Sequence, residues 1–326
     1  MSVIGVVGAG AWGTALANVA AGAGHRVSLW MRDESQAKRV AAARISPRLP
    51  GVAMHQRIGP TADLGDLVGA EAVLLVTPAQ TTRELTSALA PVLSDGTPLI
   101  LCAKGLERGS NRFLSDVVEE LRPRAPLAVL SGPSFAGDVA RGLPTAVTLA
   151  CRDAALARDL ASALSGPTFR VYHRTDVRGV EIGGAAKNVL AIACGAVSGR
   201  GLGESARAAL MARGFAELLR FAESHGAEPD TLMGLSGLGD VVLTCSSPQS
   251  RNFAFGERLG RGVPVSEAAG GKLAEGANTA PVLVALARAR AVDMPVAAAV
   301  DAVIGGRVIL DQAIDALMQR PLKSEE

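Results

Sequence analysis

The segment GGAAKNVLAIACGAV (183–197) carries a single charge, Lys187, in an otherwise apolar run. One helical turn to either side lie Gly183, Gly184, Leu190, Ala191 and Cys194, so no carboxylate on its own helix can pair with it. Two readings stand open. The stem can lie on a core while the ammonium reaches water. Alternatively the ammonium sits in a poorly solvated cleft, where it stabilises a developing alkoxide and donates a proton. Further along, GLGDVVLTCSSPQSRNFAFG (237–256) places Asp240 after a Gly-x-Gly turn and sets Ser250, Arg251 and Asn252 at the start of a helix. Arginine with hydroxyl and amide donors at a helix N-terminus suits a phosphate. The same residues also describe a Ser250-capped helix with a solvated arginine. The histidines (His25, His55, His173, His225) fall in polar, loop-like contexts and read as surface residues. No Ser/His/Asp arrangement or metal-ligand spacing is present.

A second chemistry is written near the N-terminus. GAGAWG supplies Gly8-x-Gly10-x-x-Gly13 directly after VIGVV and at the head of a helical stretch. In that βαβ setting Gly8 permits the tight turn, Gly10 admits a pyrophosphate, and Gly13 lets helix and strand pack. The second strand, RVSLW, runs into Met31, Arg32 and Asp33. The late acid and the arginine before it favour NADPH over NADH, with Arg32 against the 2′-phosphate; a solvated loop arginine is the other reading.

These residues need a scaffold. Short apolar runs at 72–76, 99–102, 127–130, 146–150 and 169–172 alternate with helical stretches near 80–93, 110–122 and 153–164. Such strands, lacking strict alternation, predict a mostly parallel, doubly wound Rossmann-type sheet covered on both faces. Ligands then gather beyond the strand ends, a rule that selects Thr77 and Pro78, Lys104 and Gly105, and Ser131 to Ala136. After residue 178 Ala-rich helices take over (181–197, 204–225, 251–260, 280–290, 295–304, 309–319). The expected fold class is α/β, with a dinucleotide domain at 1–178 and an all-α substrate and catalytic domain at 179–326.

Composition narrows the partners. The chain has 326 residues, 48% hydrophobic and only 3% aromatic, with a formal net charge of +2. That balance argues against nucleic acid and against an anionic membrane surface. Lys187 and Asn188 near the centre of the long apolar run argue against membrane insertion. Cys102, Cys151, Cys194 and Cys245 form no CxxC pair, so reduced, packed thiols and a cytoplasmic location are expected.

Taken in order, GAGAWGTALA, AKGLE, SGPSFA, GGAAKNVLAI, GLGDVVLTC, QSRN and AEG resemble the bacterial NAD(P)-dependent glycerol-3-phosphate dehydrogenase family over nearly the whole chain. The resemblance implies reduction of dihydroxyacetone phosphate to sn-glycerol 3-phosphate, a small phosphorylated three-carbon product used in phospholipid synthesis. By motif, Lys187 corresponds to the proton donor and acceptor. Lys104, Gly132, Ser134, Asp240, Ser250, Arg251 and Asn252 correspond to substrate-site residues. Ala11, Trp12, Arg32, Lys104, Ala136, Arg251, Leu273 and Glu275 correspond to cofactor neighbours, and Asn188 and Thr244 also line the site. NADPH or NADH is the implied cofactor, no metal is needed, and a homodimer stays open. ISPRLPG departs from the family's pattern before LPG, which bears on cofactor preference. A 3-hydroxyacid dehydrogenase and a catalytically silent dinucleotide-binding regulator are the competing readings. QSRN after GLGD counts against the first, and the Lys187/Asp240 combination counts against the second.

Overall fold

A computed structural model of the chain describes residues 2–271 and 274–321. Among these residues ten strands are formed: β1 (Val3–Val7), β2 (Arg26–Trp30), β3 (Ile58–Thr61), β4 (Ala72–Leu75), β5 (Leu99–Leu101), β6 (Leu106–Glu107), β7 (Arg112–Phe113), β8 (Leu127–Ser131), β9 (Thr145–Cys151) and β10 (Phe169–Arg174). Eight join in one sheet, ordered β10-β9-β8-β5-β4-β1-β2-β3, while β6 and β7 form a separate hairpin. From β3 to β8 every pairing is parallel, in the doubly wound order of a Rossmann sheet.

The last two strands are reversed. β9 runs antiparallel to β8, and β10 parallel to β9. The link 132–144 contains only the five-residue helix Ala136–Ala140. That helix is too short to carry the chain back along the sheet, so β9 starts at the end where β8 stopped. Two short elements escape the sequence pattern. β3, Ile-Gly-Pro-Thr, is an edge strand, which is where Pro60 is tolerated. The β6–β7 hairpin displaces the start of the helix expected from 110, which begins at Leu114.

Two apolar clusters cover the two faces of the sheet, and a third fills the helical half. The helix Val177–Arg200 joins the halves. It starts beyond the end of β10 and packs against β8 and β9. By length and composition it could cross a membrane, yet it is enclosed by protein almost throughout. Small residues make that enclosure possible. Gly195 and Gly199 face Gly256 and Gly260 of the helix Arg251–Gly260. A Cβ at any of the four would come within 2.0–2.3 Å of a carbonyl oxygen of the facing helix. The backbones therefore touch, in the manner of small-xxx-small pairs. All four cysteines are free and buried.

Candidate active site

Lys187 is not a lysine reaching out to water. It is 6% exposed, and Asp240 beside it is fully buried. The Lys187 ammonium donates to Oδ1 of Asp240 and, at 2.8 Å, to Oγ1 of Thr244. Thr244 in turn donates to the same carboxylate oxygen at 3.2 Å. Lys104, in the loop after β5, donates to Oδ2 of Asp240 at 2.6 Å and to the Gly132 carbonyl at 3.0 Å. One carboxylate thus bridges two ammoniums delivered from opposite halves of the molecule. Burial pushes the Lys187 ammonium down to about 8; Asp240 opposes the shift and Lys104 adds to it. Burial also pulls Asp240 upward, but the two ammoniums together outweigh it and hold the acid below its ordinary value.

A chain of amides braces this cluster. Asn188 donates to the Lys104 carbonyl at 3.1 Å, Asn252 donates to Asn188 Oδ1 at 2.9 Å, and Asn252 Oδ1 accepts from the Gly276 N–H at 2.9 Å. Four elements are tied by three bonds. Ser250 caps the helix Arg251–Gly260 through the Phe253 N–H, and Arg251 beside it stays exposed. Ser134 does not cap the following helix; its hydroxyl donates to the Gly132 carbonyl at 3.0 Å.

In the N-terminal half, the turn after β1 has the geometry its glycines require. Gly8 sits at φ +114°, and a Cβ there would lie 2.7 Å from the Val76 carbonyl oxygen. A Cβ on Gly13 would lie 1.8 Å from the Gly8 carbonyl oxygen, whereas one on Gly10 would meet nothing within 4 Å. Among the described residues no side chain caps the helix Ala11–Gly22, and the Trp12 indole N–H is buried without a partner. Glu275 accepts from the Ala79 N–H at 3.3 Å through Oε1, while Oε2 is buried and has no partner among the described residues. Burial raises its pKa, opposed by the Ala79 N–H and Arg251. Ala136 opens its short helix, and Leu273 lies outside the described residues. Arg32 is 71% exposed, with Glu84 at 4.0 Å. Asp33 is committed to capping the helix Glu34–Ala43, accepting from the Gln36 N–H at 2.7 Å.

The chain matches two family models, the N-terminal part of NAD-dependent glycerol-3-phosphate dehydrogenase over residues 3–157 and its C-terminal part over 176–315. The chain belongs to the NAD-dependent glycerol-3-phosphate dehydrogenase family. Glycerol-3-phosphate dehydrogenase [NAD(P)+] of Methylobacterium radiotolerans is 64% identical over 324 residues, covering 99% of this chain and 98% of the relative. The Azorhizobium caulinodans protein of the same name is 63% identical over 323 residues, with 99% and 98% covered. Among solved structures, glycerol-3-phosphate dehydrogenase from Coxiella burnetii superposes with a TM-score of 0.93 at 39% identity, covering 98% of this chain and 99% of that one. The Saccharomyces cerevisiae glycerol-3-phosphate dehydrogenase shares the fold, with a TM-score of 0.84 at 23% identity and coverage of 98% and 99%.

A nicotinamide dinucleotide, implied by the family, fits the residues present. The uncapped helix N-terminus, the open side of Gly10 and the unpartnered Trp12 N–H form a cradle for phosphates. Sequence reasoning missed Ala79; it reached Ser131 only as one of several residues beyond a strand end, and Gly184 only as a neighbour of Lys187 on its helix. Ser131 had a signal, its place at the end of a strand, but nothing distinguished it from its neighbours. Two histidines also depart from the surface reading. His25 bridges Ser2 and the Ala163 carbonyl, and His225 packs against Phe113 and Phe221.

Proposed function

We propose that this chain catalyses reversible, NAD(P)H-dependent reduction of dihydroxyacetone phosphate to sn-glycerol 3-phosphate, with Lys187 as proton donor and acceptor. The observation that carries the reading is the bridge of Lys187, Asp240 and Lys104. Each ammonium has three N–H donors, and each spends two on the protein, leaving one uncommitted among the described residues. A ketone oxygen held by these two donors meets a local excess of one positive charge. The cofactor supplies the hydride that turns the carbonyl carbon into an alcohol carbon. Lys187 then gives its proton to the forming alkoxide, and Asp240 and Thr244 keep the amine aimed. In the oxidative direction the neutral amine takes the hydroxyl proton, which an ammonium lowered to about 8 can do near neutrality.

Arg251 is the exposed cation beside the amide-braced wall and serves the substrate phosphate. Ser250 and Gly132 shape the same pocket, and Ser134 and Asn252 complete it. The phosphate supplies remote binding energy that positions the carbonyl. Gly8, Gly10, Ala11, Trp12 and Gly13 hold the pyrophosphate, Ala136 and Glu275 border the cofactor, and Leu273 joins them by motif. With Asp33 spent as a cap, Arg32 favours NADPH, and NADH is also accepted. The division at 178/179, a cytoplasmic location and a role in supplying glycerophospholipid synthesis belong to the same reading. The test is direct: purified protein, NADPH and dihydroxyacetone phosphate, followed by nicotinamide absorbance and repeated with NADH. Oxidation dependent on the substrate is expected, and its absence with both cofactors refutes the proposal.

A further inference from the structure

Gly183 and Gly184 precede Lys187 by four and three residues, so they lie on the helix surface beside it. A Cβ on Gly184 would lie 2.6 Å from the Ser131 hydroxyl oxygen and 3.4 Å from Cγ of Lys104. A Cβ on Gly183 would lie 2.5 Å from the Ser236 carbonyl oxygen. Ser236 belongs to the π-helical turn Leu235–Gly239, which leads directly into Asp240. The end of β8 at Ser131 and the stem of Lys104 therefore lie against bare backbone at Gly184, and the segment that delivers Asp240 lies against bare backbone at Gly183.

Neither glycine has a positive φ, so space and not backbone freedom is what the position demands. Glycine weakens a helix relative to alanine, and two in succession weaken it twice. The Ser131 hydroxyl adds a second cost: it is buried, 3% of the residue is exposed, and it has no hydrogen-bond partner among the described residues. Three unfavourable features meet one turn below Lys187, and two of them, Gly184 and the Ser131 hydroxyl, lie beside the stem of Lys104.

We propose that Gly183 and Gly184 are positioning residues: the missing side chains let Lys104 and Asp240 close on Lys187 from two sides, and Gly184 sets the spacing of the two ammoniums through Ser131. The inference rests on the reading of Lys187 as the proton donor. In Gly184→Ala the new methyl displaces Ser131, and the displacement passes to the stem of Lys104. The charged and titratable groups facing Lys187 are Asp240 and Cys245 from the helix Asp240–Ser246 and Lys104 from the loop after β5. When Lys104 withdraws, Lys187 loses a repelling cation and has Asp240 to itself. Both changes hold its proton more tightly.

The chain contains five lysines, so protein labelled at lysine Cε gives a spectrum simple enough to titrate. In the full chain without cofactor, Gly184→Ala should raise the Lys187 midpoint by about one pH unit. Turnover should fall at least about 10-fold, with the nucleotide KM within about 2-fold. Gly184→Ala/Ser131→Ala removes the oxygen that the methyl meets and should recover most of both effects. An unchanged midpoint in Gly184→Ala overturns the proposal, as does a double variant that keeps the values of the single one. If Gly184→Ala does not fold, the double variant decides. Folding with a near-normal midpoint supports the proposal, and failure to fold or a raised midpoint overturns it. The proton-donor reading fails separately, if Lys187→Ala retains turnover; the titration comparison stands on its own in that case.

Discussion

At the residue scale the chemistry rests on a lysine that burial has made a weaker base. With the Lys187 ammonium lowered to about 8, oxidation of glycerol 3-phosphate needs the neutral amine, so its kcat should rise with pH through about 8 and then level off. Reduction needs the ammonium and should decline over the same interval. Initial rates in both directions across pH 6–10 check this; parallel profiles in the two directions would exclude one group serving both. Lys187→Ala should lower kcat by about 10³, within the range for a lost general acid, while equilibrium binding of nucleotide is retained. Arg32 offers a second residue-scale test. It is exposed and, among the described residues, makes no closer ion pair than the 4.0 Å approach to Glu84, so little folding depends on it. Arg32→Ala should raise the KM for NADPH about 10-fold or more and leave that for NADH within a factor of about 2, the loss expected for one charge-assisted phosphate contact.

At the scale of elements, the active site depends on two helices that touch. The helices Val177–Arg200 and Arg251–Gly260 approach so closely that a Cβ on Gly256 would lie 2.0 Å from the Ile192 carbonyl oxygen. Backbone cannot rotate aside as a side chain can, so Gly256→Ala must part the helices. The expected cost is about 3 kcal/mol, the upper range for overpacking, read as a lower urea midpoint at unchanged m. Gly22→Ala is the control, since a Cβ there meets nothing within 4 Å; it should be neutral or slightly stabilising. The same helix contact sets Asn252 against Asn188, so Gly256→Ala should also reduce turnover more than its stability loss explains. Much of this level was legible. Apart from β3, the strands of the main sheet announced themselves as apolar runs, and the long helices as Ala-rich stretches. The direction of β9 and β10 was not, because strand composition carries no direction; the short link 132–144 decides it. Helix contact through Gly195, Gly199, Gly256 and Gly260 was equally hidden, since each glycine gains meaning only opposite its partner.

At the scale of the whole molecule, stability should depend on pH through a carboxylate remote from the cleft. Glu217, 2% exposed, accepts from the Val296 and Ala297 N–H groups at 2.9 and 3.3 Å and so closes the N-terminus of the helix Pro295–Ile304. Burial pushes its pKa up to about 7; the two N–H groups and Arg220 oppose this and Asp293 adds to it. A carboxyl raised on folding binds its proton more readily in the folded chain than in the unfolded one. Stability from this group is therefore present below its unfolded pKa, near 4.5, and is lost as pH rises to about 7. The loss is bounded at about 3 kcal/mol. Asp240, lowered on folding, acts in the opposite sense and only at more acidic pH. Lys187, also lowered, changes stability between about 8 and its ordinary 10.5. Urea midpoints between pH 5 and 7.5 should fall in the native protein and stay flatter in Glu217→Gln, which keeps an acceptor but cannot ionise. An equal slope in both would place the dependence elsewhere.

From the order of residues alone came the dinucleotide turn, the α/β class, the family resemblance and the residues worth testing. These are local properties: a glycine spacing after a strand, an apolar period, a run of motifs. The tertiary structure alone decided that Lys187 is buried, that Asp240 holds Lys104 as well, and that Asp33 is spent on a helix cap. It also brought Ser131 and Gly184 together. The reason is distance along the chain. Lys104, Lys187 and Asp240 are separated by 83 and 53 residues, and only packing of the two halves on the central helix places their charges within hydrogen-bonding reach.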